Sequence, residues 1–141
     1  MFQTLFNNKS KIQIQAIRLD PNYADAYYNR GNAYNNKGDY DRAITDYTQA
    51  IRLDPNYAST YNNRGNAYAD KGDNDHAIAD YTQAIRLDPN YANAYNSRGY
   101  TYFMKRDYDR AIADYEEALR INPNHTYARQ NLENARRARG R

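Results

Sequence analysis

The sequence predicts an all-α solenoid built from helix–turn–helix repeats. Three observations carry that reading. The chain repeats itself every 34 residues: Ala24 to Tyr57 and Ala58 to Tyr91 agree at 26 of 34 positions without a gap, and residues 92–125 keep the same frame. The string RLDPNY begins at Arg18, Arg52 and Arg86, and INPNH takes its place from Ile121. Each unit also holds two apolar stripes at helical spacing, separated by turn residues. A fixed period of this length marks a repeat array and outranks any local motif. Units of that kind touch only their neighbours and present one extended surface, which suits gripping a partner better than enclosing a reaction.

The elements follow in order along the chain. Residues 1–23 read as a degenerate half-repeat, because Leu5 to Leu19 falls in the register of a second helix while its first helix is missing. Ser10 with Gln13 resembles a capping box. That places the helix start at Lys11 and leaves Phe2, Leu5 and Phe6 as a separate apolar tag. Ile12, Ala16, Ile17 and Leu19 are expected to pack on the first repeat. Phe2, Leu5, Phe6 and Ile14 then remain as a candidate oligomer interface. Such a chain reads as a slice of a longer array, or as an array with a truncated start.

Residues 24–57 form the first full repeat. Tyr27, Gly31 and Tyr34 share one helical stripe, with Ala33 alongside. Lys37-Gly38-Asp39 breaks it, since glycine readily takes the left-handed conformation that ends a helix. Ala43, Tyr47, Ala50 and Ile51 make the second stripe, and Asp54-Pro55-Asn56 stops it because proline cannot continue a helix. Gly31 is expected to allow close approach, with Ala43 filling the facing side. Residues 58–91 and 92–125 repeat this plan, except that Arg106 replaces the turn glycine and predicts a looser or differently shaped turn. Residues 126–141 read as a polar capping helix with a basic tail, its apolar stripe being Ala128, Leu132 and Ala135.

Composition narrows the function. The chain has no cysteine, so it carries no disulfide framework and no thiol chemistry; with no recognisable signal peptide, a cytoplasmic location is expected. Mean hydropathy is low, at −1.19. Seventeen tyrosines supply the apolar mass instead, each burying a ring while its hydroxyl seeks a partner. The net charge of +3 comes from the two ends, and the repeat body is mildly acidic. That argues against nucleic acid as a partner, and no apolar run is long enough for membrane insertion. His76 and His125 stand alone without metal spacing. The aspartates fall at helix starts and so read as caps. No catalytic residue, metal site or cofactor is expected, and the chain reads as a non-enzyme.

An aromatic, Gly, Tyr, Ala, aromatic, Ala and Pro recur in fixed order: Tyr27, Gly31, Tyr34, Ala43, Tyr47, Ala50 and Pro55, then Tyr61, Gly65, Tyr68, Ala77, Tyr81, Ala84 and Pro89, then Tyr95, Gly99, Tyr102, Ala111, Tyr115, Ala118 and Pro123. This order resembles the tetratricopeptide repeat. The family often has leucine before the glycine, where this chain has Arg30, Arg64 and Arg98. Each arginine and Asp46, Asp80 or Asp114 lie equidistant from the turn, which predicts three Arg–Asp pairs clipping the hairpins. The same reasoning expects Arg64→Leu to be tolerated and Asp80→Leu not.

The resemblance implies a right-handed solenoid whose first helices line a concave groove. It maps the peptide-binding groove onto Tyr28, Asn29, Asn32 and Asn36; Asn62, Asn63, Asn66 and Asp70; and Asn96, Ser97, Tyr100 and Met104. Carboxamides both donate and accept, so such a strip can hold a peptide backbone. It resembles the asparagine ladder of the nucleocytoplasmic sugar-adding transferases at Asn29 and Asn63, with Ser97 breaking the series. The carboxylate clamp of chaperone-tail-binding repeats is matched only at Asn32 and Asn63; Tyr28, Asn93 and Ser97 stand where it needs cations. The expected function is a non-enzymatic scaffold for a protein or peptide partner. The alternative is a homodimer formed through the N-terminal end.

Overall fold

The computed structural model describes the backbone of residues 2–141 and the side chains of residues 8, 9 and 11–141. Among the described residues eight α-helices follow one another: α1 (Phe2–Leu19), α2 (Ala24–Asn36), α3 (Tyr40–Leu53), α4 (Ala58–Lys71), α5 (Asn74–Leu87), α6 (Ala92–Met104), α7 (Tyr108–Ile121) and α8 (Thr126–Arg139). Helices α2–α3, α4–α5 and α6–α7 pair as antiparallel hairpins, with α1 before them and α8 after.

Local chemistry sets the boundaries. Asp39, Asp73 and Asp107 cap α3, α5 and α7, each accepting a backbone N–H three residues on at 3.3 Å. In the repeated Asp-Pro-Asn stop, the carboxylate accepts the asparagine N–H: Asn22 to Asp20 at 3.0 Å, Asn56 to Asp54 at 3.3 Å and Asn90 to Asp88 at 3.1 Å. This turn fixes each helix exit in the same direction.

First helices touch one another from repeat to repeat, α2 with α4, α4 with α6 and α6 with α8. Among the described residues the second helices do not. The array therefore curves with its first helices on the inside. Each core is thin: alanines and one tyrosine per hairpin, Tyr47, Tyr81 or Tyr115, are buried.

Four expectations need correction. Helix α1 runs unbroken from Phe2, so no cap forms at Ser10; nothing between Phe2 and Lys11 is a glycine or proline that would stop it. Phe2, Leu5 and Phe6 lie outside the described side chains. Ile12 is 64% exposed and Leu19 is exposed too, while Ile14, Ala16 and Ile17 are half-buried, so a different stripe of α1 meets the first repeat. The side chain facing Gly31 is the ring of Tyr47, not Ala43: a Cβ on Gly31 would lie 2.8 Å from Tyr47 Cε1. The turn at Arg106 keeps the shape of its siblings. Arg106 adopts φ 64°, beside 83° at Gly38 and 92° at Gly72. Its turn makes the same two bonds, Arg106 N–H to Phe103 O and Asp107 N–H to Tyr102 O, both 2.9 Å.

Closure of that hairpin thus forces a side chain into the left-handed region. Arg106→Gly should remove the strain and raise stability by about 1 kcal/mol. A urea titration checks this, and an unchanged midpoint would mean that arginine sits there without strain.

Candidate functional site: the inner groove

The hairpins are clipped as the sequence predicts. Arg30, Arg64 and Arg98 make bidentate bonds to Asp46, Asp80 and Asp114 at 2.7–2.8 Å. Arg64 and Arg98 also donate to Thr48 and Thr82 of the preceding hairpin, each at 3.1 Å. One guanidinium so ties three helices together. The pairs hold the scaffold and engage all three of these guanidiniums. The carboxylates are buried deeper than the guanidiniums, 8% against 18% exposed for both Asp80–Arg64 and Asp114–Arg98. Loss of either partner therefore strands a buried charge, so Arg64→Leu is now expected to cost stability as Asp80→Leu does.

Part of the asparagine strip is also structural. Buried Tyr47 and Tyr81 donate their hydroxyls to Asn32 Oδ1 at 2.6 Å and Asn66 Oδ1 at 2.7 Å. Burial pushes both phenols well above their ordinary range, so they remain donors. Asn63 Nδ2 crosses to the previous repeat and donates to Tyr28 Oη at 3.1 Å and Asn32 Oδ1 at 3.0 Å. Two repeats further, Asn131 Nδ2 donates to Asn96 Oδ1 at 3.2 Å. The step between these two should join residue 97 to Asn62. Ser97 is too short to supply the amide. Asn62, only 6% exposed, is left with its Oδ1 buried and unpartnered.

Ser97→Asn should restore that step. Pairing a buried acceptor recovers about 1 kcal/mol, visible as a raised Tm. A lower Tm would show that the longer side chain does not fit between α4 and α6.

A groove of about 750 Å³ opens where the series is interrupted. Of the predicted residues, Asn66, Asp70, Asn96, Ser97, Tyr100 and Met104 line it. Tyr28, Asn29, Asn32, Asn36, Asn62 and Asn63 do not; Asn62 is buried between helices, and Asn32 and Asn63 are engaged in the bonds just described. Sequence reading missed Asn35, Asn74, Thr101, Tyr127 and Asn131, and assigned Tyr81 to the core alone. Tyr127 and Asn131 lie one period after Asn93 and Ser97, so carrying the 34-residue frame into the capping helix would have found them.

Asp70 is the single charged side chain in the lining. The groove walls desolvate its carboxylate and push its pKa up. Lys71 and Lys105 turn away to Asp41, at 2.6 Å, and to Asp75. At the far end, buried His125 caps α8: its Nδ1 accepts Ala128 N–H at 3.2 Å, so the opposite nitrogen carries the proton and donates to Asn93 Oδ1 at 2.9 Å. It fixes the helix bearing Tyr127. Among the described residues no group of three or more acidic, histidine or cysteine side chains could hold a metal, and no helix is long and apolar enough to cross a membrane.

Comparison with known proteins extends this picture. The first TPR domain of Spaghetti (RPAP3), solved with the HSP90 peptide SRMEEVD, is 31% identical, with 84% of this chain and 94% of that one covered and a TM-score of 0.82. The second TPR domain of human RPAP3, solved with the HSP70 peptide SGPTIEEVD, is 33% identical over 80% of this chain and 94% of that one, with a TM-score of 0.77. MamA is 27% identical over 96% and 79%, with a TM-score of 0.90. No curated protein sequence matches the chain. The family model for the TPR repeat matches residues 31–72 and 65–106, and two further models for the tetratricopeptide repeat match 92–125 and 14–45. With the hairpins, the turn chemistry and these matches in agreement, the chain belongs to the tetratricopeptide repeat family.

Proposed function

We propose that this protein is a non-enzymatic interaction scaffold that holds a peptide segment in the groove lined by α4, α6 and α8. The observation that carries the reading is the groove itself: about 750 Å³ on the inner face, lined by amides and hydroxyls together with the exposed Tyr100, Met104 and Tyr127. Amides grip a peptide backbone, and exposed rings supply area at low entropic cost. Structural neighbours solved with bound peptides support the same use of the fold.

The test is selection from a displayed library of random twelve-residue peptides on the full chain. Tyr100→Ala and Met104→Ala change exposed groove residues and should abolish recovery while leaving the helical spectrum unaltered. Recovery that is indifferent to both changes would move the binding surface elsewhere. Alanine at Asn32, Asn63 or Asn66 would be a poor test, because it also unties Tyr47, Tyr81 or the neighbouring repeat.

A second reading, self-association through α1, is favoured by the exposure of Ile12 and Leu19 on one helix. Light scattering at increasing concentration, with Ile12→Ser as the comparison, decides it; a wild-type chain that stays monomeric removes it.

A further inference from the structure

The groove has a charge and a wall chemistry of its own. Asp70 is its one ionisable acid, no lysine or arginine lines it, and the nearby Lys71 is held by Asp41 outside it. The carboxylate sits there without a counter-charge, and desolvation already disfavours it. Tyr100, Tyr127 and Met104 bring two exposed aromatic rings and a polarisable sulfur to the same space. A ring face attracts cations, and the attraction grows as water is excluded.

The internal repeat points to the same place. Ser97, Tyr100, Thr101 and Met104 of α6 all line the groove, and all differ from Asn63, Asn66, Ala67 and Asp70 at the matching positions of α4. Replacement of asparagine by Ser97 also leaves the buried Asn62 amide oxygen unpartnered. A repeat that breaks its own pattern at a cost in stability, and does so along one cavity, marks that cavity as the specialised part of the array.

We propose that this groove receives one cationic side chain, a lysine or arginine of the bound peptide, with Asp70 as its counter-charge and Tyr100 and Tyr127 as its walls. The inference rests on the peptide-binding reading above. It also separates this chain from its neighbours: SRMEEVD and SGPTIEEVD both end in acidic segments, which an unneutralised Asp70 would repel.

The experiment uses the same library on the full chain. Recovered peptides should share a lysine or arginine at one aligned position. Asp70→Asn should weaken binding of such a peptide about threefold, the scale of an exposed ion pair, while the cation–π contact to Tyr100 and Tyr127 is kept. The variant keeps the fold, since Asn36 occupies the matching position of the first repeat; circular dichroism verifies this. The same peptide with its cation changed to glutamine should bind wild type and Asp70→Asn equally. Recovery of no peptide overturns both this inference and the proposed function. Peptides that need Tyr100 but lack a fixed cation, that are acidic, or that ignore Asp70→Asn leave peptide binding standing and overturn the cationic pocket.

Discussion

Arg98→Leu is expected to destabilise the chain by about 3–5 kcal/mol at neutral pH, because it strands a buried carboxylate. Asp114 is 8% exposed and its two oxygens are held by Arg98 at 2.8 Å. Burial pushes the Asp114 carboxyl up, and the Arg98 bond and charge pull it back down. Without Arg98 only the upward pressure of burial remains, apart from a small further push from Glu117. The folded variant then binds a proton at a higher pH than the unfolded chain does. The sign follows: its deficit relative to wild type is largest above the folded value and shrinks as pH falls toward the unfolded carboxylate range near 4. Urea titrations of both proteins from pH 7 to pH 4 measure the gap. A gap that is small, or that stays constant with pH, would show that the carboxylate reaches water without its arginine. Arg98→Leu combined with Asp114→Leu should recover much of the loss, since two apolar residues leave no stranded charge.

Gly65→Val is the second large effect. A Cβ on Gly65 would stand 2.8 Å from Cε1 and 3.0 Å from Cδ1 of Tyr81. That ring is buried and tied through its hydroxyl to Asn66, so moving it away breaks that bond. Valine adds two more methyl groups to the same contact. Overpacking of this kind costs about 3 kcal/mol, more than the gain from replacing a helical glycine, about 1 kcal/mol at most. A thermal melt that moves by only a degree or two would mean that α4 and α5 can separate without losing their seal. The central hairpin is the right place to look, because it is packed on both sides and cannot fray alone.

The sequence alone determined the repeat length, the helix order, the turn positions and the Arg–Asp clips. Each of these is local or follows from a fixed spacing about a turn: Asp39 caps α3, Pro55 follows its end, and Arg30 meets Asp46 because both are eight residues from Gly38. Only the tertiary structure decided which polar residues are free to act. Asn62, Asn66 and Asn96 look alike in sequence. One is buried with its amide oxygen unpartnered, one accepts from Tyr81 and one accepts from the capping helix. Those fates depend on the residue one period away, at a distance that no local pattern encodes. Likewise Gly31 faces Tyr47 rather than Ala43, because the way two helices cross, not their separate stripes, selects the contact. The stripe of α1 that meets the first repeat was set in the same way, by how the helix lies on α2.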